Sequence, residues 1–373
     1  MARLEQIVLR EIRLPLREPF RVSFGVVTER RIPLLELRDT DGVTAWSECV
    51  ALELPNYNAE AIDTAWYAIS EWVAPRVIGR DFAHPGDVHG VLEVDFRGNW
   101  MAKASVEMGL WVLEATRQGV PLARLLGGTR SEIATGISLG IMSSPDALVE
   151  KARAALSQGY RKIKLKIAPG QDVAFVRAVR EALGPDAPLM ADANNAYQLS
   201  DAAALAELDD LGLMMIEQPL AWDDIVQHAE LQKQLTTPLC LDESITSVDR
   251  ARDMVALDAG RIINIKPGRV GGFARSIAIH DYCVAQGIPV WCGGMLESGI
   301  GRACNVALAS LPGFTKPGDL SPSARYWERD VVTPEWTMTS DGMVRVPLDT
   351  PGLGVDVDMD RIDNLTVRTA VLR

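Results

Sequence analysis

Eight polar or sulfur-bearing residues recur along this chain at nearly constant spacing, and their types suit proton transfer at a carbon acid. Ser138, Lys166, Asp192, Glu217, Asp242, Lys266, Cys292 and Asp319 follow one another at intervals of 24 to 28 residues, each at the end of a short apolar run. Polarity near solvent would explain one or two of them. It does not explain acids on three successive runs flanked by lysines. If Asp192, Glu217 and Asp242 converge, their like charges repel strongly in a low-dielectric interior and call for a cation. None of the four histidines (His84, His89, His228, His280) ends such a run. An all-oxygen donor set favours Mg2+ or Mn2+, or another hard divalent metal, over zinc. Such an ion keeps positions open for a substrate carboxylate and would stabilise the enediolate left when the neighbouring carbon loses a proton.

The base is expected among the lysines. In the run KIKLKI, strand alternation puts Lys162, Lys164 and Lys166 on one face and Ile163, Leu165 and Ile167 on the other. The apolar face must cover the core, so the lysines point inward, with Lys162 expected to reach solvent at the lower end. A lysine base must be neutral, although its ordinary pKa is about 10.4. A cation next door favours the neutral form. Lys164 is placed to do this for Lys166, and Arg269 for Lys266. The two candidate bases lie four runs apart, so they would face each other across the metal. Two bases suit a 1,1-proton transfer; one base that later returns its proton suits a syn elimination.

The elements that must position these residues follow from the same periodicity. From about residue 133, short apolar strands alternate with roughly 12-residue helical stretches (IATGIS, KIKLKI, PLMADA, LMMIE, PLCLD, IINIK, PVWC). Seven or eight such units imply parallel strands closed into a barrel, with the ring of polar residues at its C-terminal mouth. Residues 1–130 read differently, as an α+β unit. A hairpin turns at Asp39-Thr40-Asp41-Gly42, and two helices follow, the second beginning after Asn99 as its N-cap and stopping at Gly119. At 373 residues the chain is long for one compact domain. A formal net charge of −12 with no basic stretch argues against nucleic acid or an anionic membrane as partner. The five cysteines lack paired spacing and read as reduced thiols, and no apolar run reaches membrane length, so a cytoplasmic protein is expected.

Taken together, KLK at 164–166, DAN at 192–194, EQP at 217–219, DES at 242–244 and NIKPGRVGG resemble the enolase superfamily in its muconate-lactonizing subgroup. GISLG around Ser138, PVWCGGMLESGIGRA and PGDLS are most similar to its o-succinylbenzoate synthase and N-succinylamino acid racemase branch. The resemblance covers essentially the whole chain. It implies an α/β fold: a (β/α)7β TIM-like barrel over residues 131–325, capped by an α+β domain built from residues 1–130 and a C-terminal segment, 326–373, that returns to it. It implies Asp192, Glu217 and Asp242 as Mg2+ ligands, Lys166 and Lys266 as the acid/base pair, and Lys164 as the tuning cation. Ser138, Asn194, Gly294 and Met295 would line the substrate site, Glu243 would hold a lysine in place, and Arg269 would favour racemase competence. Loops around Phe20 to Gly25 and around Tyr57 would fold over the mouth. The implied partner is a small carboxylate, either a menaquinone intermediate or an N-acylamino acid, and a homo-oligomer is expected. Dipeptide epimerase and muconate cycloisomerase activities are the near alternatives. Asp319-Leu320-Ser321 lacks the second acid expected of the epimerases. A non-catalytic binding protein of the same fold is the alternative of another kind.

Overall fold

The computed structural model describes residues 3–22 and 25–373, so the expected mouth loop at Phe20 to Gly25 lies partly outside the described residues. The N-terminal strands form an antiparallel sheet in which Leu4–Val22 is flanked by Gly25–Asp39 and by the C-terminal strand Thr366–Leu372, with Thr44–Glu48 at the far edge. The expected hairpin turn is present. Asp39 Oδ1 accepts the backbone N–H groups of Asp41 and Val43 at 3.0 and 2.9 Å, and Gly42 sits at φ +84°.

Helix Trp100–Gln118 packs on this sheet and stops at Gly119, in the left-handed region at φ +65°. It begins directly after Asn99, as expected, but the capping group is a different one. Asn99 stands at φ +53° and its side chain caps nothing; the carboxylate of Glu60 instead accepts Met101 N and Ala102 N at 2.9 and 3.1 Å. The cap comes from a residue 41 positions away in the chain, which local sequence rules do not see.

Seven parallel strands follow in sequential order: Ile137–Leu139, Ile163–Lys166, Leu189–Asp192, Ile216–Glu217, Leu239–Leu241, Ile262–Ile265 and Val290–Cys292. Residues 314–321 close the ring between the seventh and first strands. Gly318 donates to Ala134 O and accepts from Gly136 N, while Asp319 N donates to Cys292 O. The result is the expected TIM-like barrel beside a separate antiparallel cap sheet. Ile163, Leu165, Leu189, Ala191, Ile216 and Leu239 pack outward against the helices. Met190, Met215, Cys240, Ile262 and Trp291 form a separate buried cluster, and strand parity puts them inside, as the floor of the site.

Two expectations are corrected here. Lys162 does not reach solvent: its side chain is fully buried, with Nζ 3.0 Å from Asp319 Oδ1 and 3.3 Å above the Trp291 ring. Gly136 makes the room, since a Cβ there would lie 2.7 Å from the Lys162 Cε. Cys292 has the spacing of the polar ring but the opposite parity, so its side chain joins the outer core. The inward position is Gly293. All five cysteines are buried and free, and among the described residues no helix is long and apolar enough to cross a membrane.

Candidate active site

The side chains of the mouth are delivered by strand ends in register. Lys166 lies opposite Asp192, and Asp192 opposite Glu217, so the second, third and fourth strands present a lysine and two acids at one level. Asp242 follows the fifth strand directly, and Lys266 the sixth. All are buried, Lys166 being the most open at 8% exposure. Lysines and acids are almost never buried without partners, and here each is paired.

Lys166 Nζ donates to Asp192 Oδ2 at 2.6 Å and to Asn194 Oδ1 at 2.5 Å. Lys164 Nζ stands 3.1 Å from Asp192, 3.2 Å from Glu217 and 2.5 Å from Asp319. Across the barrel, Lys266 Nζ donates to Asp242 Oδ2 at 2.7 Å and to Tyr57 Oη at 3.2 Å. Tyr57 donates to Asp242 Oδ1 at 3.1 Å, and Arg269 also donates to that oxygen. Among the described residues no three His, Cys, Asp or Glu side chains converge as a ready metal cage; each of the three acids is turned onto a cation.

These contacts separate the two lysines electrostatically. Burial pushes Lys166 below its ordinary range, with Asp192 opposing and the Lys164 cation assisting. Lys164 itself is held well above its ordinary range: burial opposes its charge, but Asp319, Glu217 and Asp192 outweigh it. For Lys266 burial is likewise offset, and the ammonium is raised beside Tyr57 and Glu243. Burial lifts the Tyr57 phenol as well, so Tyr57 offers a hydroxyl rather than a charge and the carboxylates hold Lys266. The net shift of Lys266 is thus upward, where a lowering beside Arg269 was expected. Arg269 is committed to Asp242, to Tyr57 at 3.2 Å and to the carbonyls of Asn264 and Ile245 at 2.6 and 3.0 Å. Burial and the charge of Asp192 push the Glu217 carboxyl up, and burial carries Glu243 up to about 7.

A cavity of about 60 Å3 opens between the lysines. Ser138, Lys164, Lys166, Lys266 and Gly294 line it, and so do Leu296, Glu297, Arg302, Asp319 and Tyr326. Met295 packs in the core instead, with its N–H held by Glu297 Oε1 at 2.7 Å. Asn194 and Tyr57 touch the lysines rather than the cavity, and Glu243 reaches Asn194 at 3.3 Å. A larger hollow of about 550 Å3 lies alongside, sharing Phe20 and Tyr326 with the small cavity.

Sequence reasoning missed several residues that hold this arrangement. Asn264 donates to Glu217 Oε1 at 2.7 Å, and Gln218 Oε1 accepts Asp242 N at 2.9 Å. Asn264 was findable, because it shares the inward parity of Lys266 on a strand otherwise apolar. Gly293 was findable too: a Cβ there would sit 2.7 Å from the Lys266 Cε. Gln218 at φ +36° and Leu296 at φ +58° carry backbone strain that sequence does not signal.

Comparison with known proteins identifies the family. Residues 5–127 match the mandelate racemase / muconate lactonizing enzyme N-terminal domain, and residues 147–361 the enolase C-terminal domain-like family. An o-succinylbenzoate synthase of Geobacillus kaustophilus is 48% identical, covering 97% of this chain and 96% of its own. An N-succinylamino acid racemase of Thermus thermophilus is 47% identical, covering 98% of both chains. A crystal structure of an enolase superfamily member from Listeria innocua superposes with a TM-score of 0.95 at 38% identity, covering 100% of this chain and 99% of that one. This chain therefore belongs to the mandelate racemase / muconate lactonizing enzyme family of the enolase superfamily.

Proposed function

We propose that this chain is a cytoplasmic enzyme that removes the proton α to a substrate carboxylate, acting as an o-succinylbenzoate synthase, an N-succinylamino acid racemase, or both. The reading rests on one observation above the others: two buried lysines, on the second and sixth strand ends, border one small cavity. The relatives that cover nearly the whole chain are named for these two reactions.

The residues fit a divalent metal. If Lys166 gives up its proton to act as a base, Asp192 keeps only Lys164, and the Asp192–Glu217 repulsion already visible in the raised Glu217 carboxyl grows. A hard cation held by Asp192, Glu217 and Asp242 would relieve that repulsion, and oxygen donors suit Mg2+ or Mn2+. When bound, it supplies electrophilic stabilisation of the charge that develops on the substrate carboxylate.

Lys166, lowered by burial and by Lys164, abstracts the α-proton. Lys266, held as an ammonium, stands on the opposite face. In the dehydration it lends positive charge beside the enediolate while Lys166 returns the proton that accompanies the leaving hydroxide. In the racemisation Lys266 delivers a proton to the second face, and microscopic reversibility requires it to act as the base for the other enantiomer. Arg269 supports that role by binding Asp242 and Tyr57 and so fixing the carboxylate to which Lys266 is paired. Ser138 and Gly294 border the substrate, Asn194 and Glu243 steady Lys166, and residues 1–130 and 326–373 form the cap over a barrel of 131–325.

Incubation with N-succinylphenylalanine and MgCl2 in D2O tests the reading. Loss of the α-proton signal with loss of optical rotation is expected of two working bases. Exchange with retained rotation would restrict the enzyme to one face and favour the dehydration. No exchange of this substrate and no dehydration of 2-succinyl-6-hydroxy-2,4-cyclohexadiene-1-carboxylate would overturn it.

A further inference from the structure

Asp192, Glu217 and Asp242 leave the barrel from the third, fourth and fifth strands, and one uncharged residue, Gln218, is bonded to all three exits. The fourth strand, Ile216–Glu217, is only two residues long and pairs with Leu239 and Cys240. The next backbone bond to the fifth strand runs from Gln218 N to Cys240 O at 2.9 Å. There the chain turns aside, with Gln218 at φ +36°. Asp242 lies beyond the end of this ladder. The Gln218 side chain supplies the rung that the backbone does not: its Oε1 accepts Asp242 N at 2.9 Å and Ser244 N at 3.4 Å. Its Nε2 donates to Ser244 Oγ at 2.6 Å and to Ala221 O at 3.1 Å. The Gln218 carbonyl accepts Asn195 N at 2.9 Å, from the loop that follows Asp192.

Both donors and both acceptor positions of this amide are used, and the residue is fully buried. The reverse orientation would set its NH2 against the N–H groups of Asp242 and Ser244, so the amide has one orientation. Ser244 Oγ in turn donates to Asp224 O at 2.7 Å. A residue other than glycine at positive φ persists where its surroundings over-determine it, and such residues gather at functional sites. We propose that Gln218 is a positioning residue: it sets Asp242 level with Glu217, so that the two carboxylates can share one divalent cation. This role rests on the metal-binding part given to those acids in the proposed function and adds the residue that spaces them. Gln218 acts through the backbone of Asp242 rather than by touching an ion or a substrate. A neutral amide suits the place, because another carboxylate there would add to the repulsion between the acids.

The test uses Mn2+ alone, because the free ion is counted by its paramagnetic resonance and neither substrate nor turnover is needed. Gln218→Met keeps most of the side-chain volume and removes every bond the amide makes. Its Mn2+ dissociation constant should rise by about 10- to 100-fold over wild type, the usual loss when a group supporting a metal ligand is removed. Gln232→Met is the matched control. That amide is also buried, accepts Leu239 N at 2.7 Å and donates to the carbonyls of Leu235 and Thr237, each at 3.2 Å, but at the opposite end of the fifth strand. Gln232→Met should lower the melting temperature of the metal-free protein much as Gln218→Met does, while keeping the Mn2+ affinity of wild type. Ser244→Ala, a smaller change that guards against misfolding, removes only the hydroxyl that orients the amide. It should weaken Mn2+ binding by about 2- to 10-fold, the worth of one hydrogen bond. Equal Mn2+ affinity in wild type, Gln218→Met and Ser244→Ala would overturn the role. So would an equal loss in Gln232→Met, which would mean a general loosening of the barrel. A wild type that binds no Mn2+ would refute the ligand assignment itself, and the positioning role with it.

Discussion

Glu48→Gln isolates a buried acid that joins the cap sheet to the barrel. Glu48 closes strand Thr44–Glu48 and is 1% exposed. Its Oε2 accepts Ser298 Oγ at 2.6 Å, Ser298 N at 3.1 Å and Gly301 N at 3.1 Å, all at the start of helix Gly299–Ala309. Burial pushes the carboxyl up to about 8; Ser298 and Arg30 pull it down, while Glu297 adds to the rise. Its ordinary value is 4.5. Between those values the folded protein keeps a proton that the unfolded chain has released. Stability is therefore lost as pH rises through that window and levels off above it. At about 1.4 kcal/mol per pH unit, the whole window is worth at most about 5 kcal/mol. Glutamine can place its carbonyl oxygen where Oε2 lies, keeps the three donors satisfied, and has no proton to lose. Thermal unfolding of both proteins at pH 5.5 and 8.5 reads the difference. The midpoint of the wild type should fall by several degrees more than that of Glu48→Gln, at roughly 2 °C per kcal/mol. Groups common to both proteins cancel in the comparison. Parallel shifts in the two proteins would refute the idea that Glu48 folds as a neutral acid.

Three further outcomes are expected. Lys162→Met should destabilise by about 1–3 kcal/mol in thermal melts, because Asp319 keeps Lys164 but loses one of its two buried cations; an unchanged midpoint would show that the pair contributes nothing net. The rate of α-proton exchange should rise with pH and level off below the ordinary lysine value of 10.5, because Lys166 is lowered and its neutral form is the base. A rate that fell steadily from pH 6 to 9 would exclude that assignment. A chelator should abolish exchange and MgCl2 or MnCl2 should restore it, whereas chelator-resistant activity would contradict the role given to Asp192, Glu217 and Asp242.

The sequence by itself determined the barrel and the ring of strand ends. Both are periodic properties: one strand-helix unit sets the 24- to 28-residue step, and strand parity decides which side chains face inward. Lys162, Lys164 and Lys166 could be placed on one face from KIKLKI alone, and Asp192, Glu217 and Asp242 on adjacent strands. Spacing without parity misled for Cys292, which has the right interval and the wrong face. What tertiary structure decided were the contacts between parts of the chain that no period relates. Tyr57 reaches Asp242 and Lys266 across 185 and 209 residues. Glu60, rather than Asn99, caps the long helix, and Asp319 rather than water receives Lys162. Arg269 turned to Asp242 for the same reason: a buried guanidinium goes to the carboxylate within reach. The buried amide of Gln218 belongs to this second kind of information, since satisfaction of a buried polar group depends on everything folded around it.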